Sequence, residues 1–178
     1  MLRFTTAVLL CLGVPLAAAL SDAPLPSKPN ILFILADDLG RELLSCYGGE
    51  SRYRTPRLDQ LAASGMRFEN CYATPLCSPS RNELLTGRYN FRNYTKWSEL
   101  DSTQLTFAQI LRDSGYATAI AGKWQLRGWE LSPPKIVRTG FQDYCAIVNE
   151  EESKEFASPL GNQYWGGMFM SNGVPRKL

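Results

Sequence analysis

Residues 31–36 form an unbroken apolar run, Ile-Leu-Phe-Ile-Leu-Ala, that ends abruptly on Asp37 and Asp38. So short and uniform a run reads as a strand buried on both faces, as in a parallel sheet covered by helices, because a strand with one wet face would alternate. The pattern downstream agrees. Thr55 and Pro56 supply an N-cap and a first helical position, Leu58, Leu61 and Ala62 one apolar face, and Gly65 a stop. Residues 66–73 alternate as a strand, and Ser78 with Pro79 repeats the cap-then-proline start for a short helix bearing Leu84 and Leu85 and ended by Gly87. Thr106 caps a third helix, with Phe107, Ile110 and Leu111 inward and Gly115 as its stop, and residues 116–121 form a further strand broken by Gly122 and Lys123. Alternation at this spacing specifies an α/β domain with a mainly parallel sheet flanked by helices. Such sheets bind ligands beyond the carboxyl ends of their strands, and Asp37, Asp38, Cys77 and Lys123 each follow a predicted strand. Beyond Gly128 the pattern weakens, and residues 161–173, rich in Gly and aromatics, show no clear period.

The fold is expected to begin at Asn30. Arg3, an apolar stretch over residues 7–16 and the small residues Ala17, Ala18 and Ala19 before Ser21 and Asp22 have the anatomy of a signal peptide. Residues 1–20 are therefore expected to direct export, to a periplasm or the exterior, and to be removed. The stretch is shorter than the roughly 20 residues that span a bilayer, so no membrane attachment is expected after cleavage. Three prolines mark residues 21–29 as an extended tether. Residues 30–178 are expected to form the N-terminal part of a domain, because no closing element precedes Leu178.

A formal charge of only +2 offers no field for nucleic acid, and 44% hydrophobic residues exclude a disordered chain. Of five cysteines, Cys11 would leave with the signal; Cys46, Cys71 and Cys145 read as small buried residues with room for one disulfide. Histidine is absent altogether. Within this chain that excludes Ser-His-Asp and Cys-His catalysis and His-ligated zinc, and leaves carboxylate, cationic and cysteine chemistry.

Two adjacent carboxylates at the end of an apolar strand repel each other unless compensated, which a hard divalent cation would do. Taken alone, the pair reads more simply as one Asp capping a turn beside a solvated one. The segment Cys77-Ser78-Pro79-Ser80-Arg81, followed by Thr86 and Gly87, changes that weighting. It resembles the sulfatase signature C-x-P-S-R-x-x-x-x-T-G, complete here, which directs oxidation of its cysteine to formylglycine. The resemblance runs on in order. Residues 30–40 are similar to the family's opening strand and metal-binding aspartates, 45–48 to its C-Y-G turn, 55–68 to its T-P-x-L-D-x-L-A-x-x-G-x-x-F stretch and 121–126 to its G-K-W-H-L element.

The resemblance implies an alkaline-phosphatase-like α/β fold and a sulfuric ester hydrolase that binds one calcium. By position it puts Asp37, Asp38 and Cys77 at the metal, makes Cys77 the substrate of a formylglycine-generating enzyme, and sets Arg81 on the formylglycine and Lys123 on the sulfate. The implied substrate is a sulfated small molecule or glycan. A hydrated aldehyde offers one hydroxyl to attack sulfur and a second whose collapse expels sulfate, while Arg81 and Lys123 stabilise the anion.

One position departs from the family. Gln125 stands where a histidine usually follows the lysine by two places; it can bind substrate by donating a hydrogen bond but cannot transfer a proton. The family's downstream metal pair and second lysine are expected beyond Leu178. Two further readings stay open, a phosphodiester or phosphonate monoester hydrolase with the same signature, and an inactive anion-binding remnant. Trp124, Trp129 and Trp165 read as packing residues rather than sugar platforms.

Overall fold

The computed structural model describes residues 28–49, 52–148 and 168–177. The expected signal peptide, most of the tether, and Trp165 lie outside these residues. Residues 28–33 are the described part of an N-terminal unit, Met1–Phe33, and carry no helix or strand. All that positions the candidate site belongs to the second unit, Ile34–Leu178.

That unit is built on a four-stranded sheet in the order β1 (Ala119–Lys123), β2 (Asp143–Ile147), β3 (Met168–Ser171) and β4 (Val174–Lys177). β1 and β2 are parallel, with Lys123 opposite Ile147, whereas β2 with β3 and β3 with β4 are antiparallel. The described sheet is thus mixed rather than mainly parallel. Its antiparallel part comes from the stretch that showed no period. β3 and β4 close on Asn172 and Gly173, whose φ values of 45° and 83° make the tight turn that matches hairpin twist, and the Asn-Gly pair is its sequence signal. Pro175 is tolerated because β4 is an edge strand.

Among the described residues five α-helices accompany the sheet: α1 (Pro56–Ser64), α2 (Cys77–Thr86), α3 (Asn90–Asn93), α4 (Phe107–Asp113) and α5 (Lys135–Arg138). Thr55 and Pro56 start α1 as expected, but Leu58 and Leu61 remain exposed, so its apolar face is not buried by the described residues. α4 begins with a reciprocal capping box. Thr106 Oγ1 accepts from the Gln109 amide at 3.2 Å, and Gln109 Oε1 accepts from the Thr106 amide at 2.8 Å. The same Thr106 hydroxyl donates to the Thr139 carbonyl at 2.6 Å and so ties α4 to the end of α5. Gly140 sits in this crossing at φ 104°, where a Cβ would come within 2.3 Å of the Gln109 backbone; only glycine fits. The close approach turns α4 so that Ala108, not Ile110, is fully buried.

Two expected strands do not form. Residues 31–36 pair with no strand among the described residues, and Leu32 and Ile34 are 85% and 77% exposed. Apolarity drives burial, but a central strand also needs neighbours on both edges. Residues 66–73 give their carbonyls to side chains instead of a ladder: Tyr47 donates to Phe68 O at 2.9 Å and Arg41 to Glu69 O at 3.1 Å. The strand expected at 116–121 starts at Ala119 and runs on through Gly122 and Lys123.

The core lies between sheet and helices, with Trp124, Leu126, Ile136, Ala146 and Leu100 almost wholly buried. Each large apolar side chain so buried is worth about 1.5–3 kcal/mol. The cysteines contribute little to it. All four described cysteines are free, and Cys71 and Cys145 are exposed rather than buried, Cys145 because strand alternation turns Tyr144 and Ala146 inward and the residue between them out.

Candidate active site

The backbone of the signature is a helix. α2 opens on Cys77 itself, with Leu76 at the N-cap, so Ser78 is not the cap expected from sequence but a fully buried residue of the first turn. The start is fixed from behind: the Ser80 hydroxyl reaches Leu76 O at 2.9 Å and Thr74 O at 3.1 Å. The end is fixed by the motif's last two residues. Thr86 Oγ1 donates to Asn82 O at 2.6 Å, and Gly87 adopts φ 63° at the C-cap. Cys77 and Arg81 are four apart, which puts both side chains on one face of α2, Cys77 at the electropositive helix N-terminus.

Arg81 and Lys123 converge on Asp37. Lys123 Nζ lies 2.7 Å from Asp37 Oδ2, Arg81 Nη2 lies 3.3 Å from the same oxygen, and Arg81 Nη1 donates to the Lys123 carbonyl at 2.7 Å. Partial burial alone would raise the Asp37 carboxyl, but the hydrogen bond and charge of Lys123, then of Arg81, outweigh it and hold the group below its ordinary 3.8. For Lys123 desolvation pulls down, and contact with Asp37 together with the nearby Cys77 sulfur raises the ammonium above its usual 10.5. A lowered carboxyl contributes stability above its unfolded value and loses it as pH falls through the folded one. A raised ammonium contributes below its unfolded value and loses it as pH rises through the folded one. The ion pair is therefore complete throughout the neutral range.

Asp38 follows at φ 57°, a left-handed turn that ends the extended run. Asp37, Asp38 and Cys77 do not assemble into a three-ligand group among the described residues. Asp37 is turned instead to the two cations. In kind, the two carboxylates fit calcium, which takes hard oxygen donors, though it takes six to eight of them.

Gln125 lies just past the end of β1 at φ 54° and is only 9% exposed. Its amide oxygen is buried without a hydrogen-bond partner. Its main-chain oxygen accepts from Ser98 Oγ at 2.9 Å and faces Ser78 Oγ at 3.4 Å. Neither serine was legible as part of a site: Ser78 occupies the variable place of the signature, and Ser98 sits in no local pattern. Trp124 and Trp129 are buried, as expected of packing residues.

Residues 29–168 match the family model described as Sulfatase. The chain belongs to the sulfatase family. It is 37% identical over 155 residues to the N-acetylglucosamine-6-O-sulfatase of Bacteroides thetaiotaomicron, an alignment covering 82% of this chain and 26% of that sulfatase. It is 41% identical over 114 residues to the human steryl-sulfatase, covering 56% of this chain and 19% of that one. A solved structure, described as a complex with its substrate D-glucosamine-2-N,6-O-disulfate, superposes with a TM-score of 0.68 at 33% identity over 85% of this chain and 28% of that chain. The chain thus spans about a quarter or less of the length of these sulfatases.

Proposed function

We propose that this chain carries the nucleophile-bearing part of an exported sulfatase that hydrolyses sulfate esters of a glycan. One arrangement carries the proposal: Cys77 leads α2, Arg81 stands one turn behind it, and Arg81 and Lys123 bring two cations to one carboxylate at the end of β1. The glycan assignment rests on likeness to proteins whose names and bound substrate are sulfated hexosamines.

A formylglycine derived from Cys77 would supply a hydrated aldehyde, with one hydroxyl for attack on sulfur and one for release of sulfate. Calcium held by Asp37 and Asp38 would add charge stabilisation. The remaining roles belong to side chains of this chain. The N-terminus of α2 favours an anion beside residue 77. Arg81 supports the nucleophile from the same helix face, and Lys123 neutralises sulfate charge, because a cation set in a partly dry site acts more strongly than one in water. Asp37 pairs with both cations and keeps them oriented. Gln125 donates through its amide nitrogen to a sulfate or ester oxygen.

Matched aryl sulfate and aryl phosphate esters, assayed with the full-length protein, test this reading. The sulfate is expected to turn over faster; preference for the phosphate would move the assignment to phosphorus chemistry. The glutamine makes a second expectation. Gln125→His should raise turnover of esters of poorly acidic alcohols more than of activated aryl esters, since imidazole delivers a proton near neutral pH and an amide does not. Equal effects on both ester classes would show that position 125 does not serve the leaving group.

A further inference from the structure

We propose that Ser98 is a positioning residue of this site: its hydroxyl, together with that of Ser78, clamps the main-chain oxygen of Gln125 and thereby sets where Gln125 stands relative to Cys77. The inference rests on the sulfatase reading for the role of Gln125 and on geometry for the clamp.

Ser98 is fully buried and adopts φ 55°, a conformation an L-residue takes only when its surroundings impose it. The surroundings here are well defined. The Ser98 amide donates to Tyr94 Oη at 3.2 Å, and the next carbonyl, Glu99 O, accepts from Asn82 Nδ2 of α2 at 2.9 Å. The Glu99 carboxylate lies 3.5 Å from Lys135 Nζ at the start of α5. The segment is therefore bolted to α2 on one side and to α5 on the other, and its hydroxyl is delivered to a fixed point. That point is Gln125 O, 2.9 Å away, with Ser78 Oγ 3.4 Å from both Ser98 Oγ and the same carbonyl. A carbonyl oxygen has two lone pairs, so Gln125 O can accept from Ser98 and also from Ser78 when the single Ser78 proton points to it rather than to Ser98 Oγ.

This clamp matters because, among the described residues, no hydrogen bond to its side chain orients Gln125. Its amide oxygen is buried and without a partner, so the direction of the side chain follows from the backbone that carries it. Ser78 is the residue after Cys77, which makes the junction a direct mechanical link between nucleophile and Gln125. Losing one hydroxyl lets the loop after β1 shift by a fraction of an ångström, enough to misplace a group that must meet a reacting oxygen.

The test uses the full-length protein with Ser98→Ala, Ser98→Gly, Gln125→Ala and the Ser98→Ala/Gln125→Ala pair, assayed for kcat and KM on an aryl sulfate. Glycine is comfortable at φ 55°. Ser98→Gly therefore deletes the hydroxyl without backbone strain and covers the case in which the alanine variant folds poorly. Both single Ser98 variants are expected to lower kcat about tenfold with little change in KM. In the Gln125→Ala background the Ser98→Ala step should cost less than about twofold, since groups acting as one unit are not additive. Amides of residues 123–127 should exchange about tenfold faster in either Ser98 variant while β2 and α4 keep their protection. A tenfold loss in both backgrounds, or wild-type kcat in Ser98→Gly, would overturn the positioning role. Should the wild type fail to turn over sulfate esters, the sulfatase reading falls, and unchanged exchange at 123–127 would separately refute the clamp.

Discussion

Cys77→Ala in the full-length protein is expected to lose sulfate-ester turnover by about 10⁴-fold or more while melting within a few degrees of the wild type. The loss is chemical because the side chain contributes almost nothing to the fold. Cys77 is half-buried, unbonded, and the first residue of α2, a helix whose start is secured by Ser80 and by the buried Ser78 and Pro79. Alanine is at least as good a helix former there. A companion measurement isolates maturation. In a host with the converting enzyme, the peptide carrying residue 77 should be lighter by about 18 Da than its cysteine form, since an aldehyde oxygen replaces the thiol sulfur with loss of two hydrogens. A wild-type peptide that remains wholly alkylatable in such a host would sink the formylglycine assignment.

Lys123→Ala ranks next, with an expected fall of about a hundredfold in kcat, the size typical of removing one electrostatic contact to a developing anion. Stability should change little. The Lys123–Asp37 pair is partly solvated, with side chains 27% and 33% exposed, and pairs of that kind are worth about 0–1 kcal/mol. The Lys123 backbone also keeps its place after truncation, since it pairs with Ile147 and its carbonyl holds Arg81. Rate and thermal midpoint measured together separate the two roles. Wild-type turnover would leave Lys123 as a partner of Asp37 and nothing more.

Physical chemistry explains which parts of this protein could be read from its sequence. Thr55-Pro56, Thr106 and Gly87 were legible because caps and stops are local: the groups that satisfy a helix end lie within a few residues of it. The spacing of Cys77 and Arg81 was legible for the same reason. Strands at 31–36 and 66–73 were misread because a ladder is a property of two segments, and periodicity reports on only one. β2 was missed where alternation was short, and the hairpin of β3 and β4 because its Asn-Gly turn carries the signal rather than its strands. Within the site, Asp37 and Lys123 were placed at strand ends by the sequence pattern, but the specific long-range pairings were out of reach. Asp37 with Lys123, and Ser98 with Gln125, join positions 86 and 27 residues apart.

The post-β1 loop is gripped by its main chain: Arg81 holds the carbonyl of Lys123, and the two serines hold that of Gln125. Every residue type presents the same carbonyl, so the grip is indifferent to which side chains the loop displays. Replacing the amino acid at 125 is therefore expected to leave these main-chain contacts in place, provided the new side chain accepts φ 54° and the buried setting of Gln125. On the proposed reading, side chains at this point are expected to vary with leaving group or anion while the main-chain contacts stay the same.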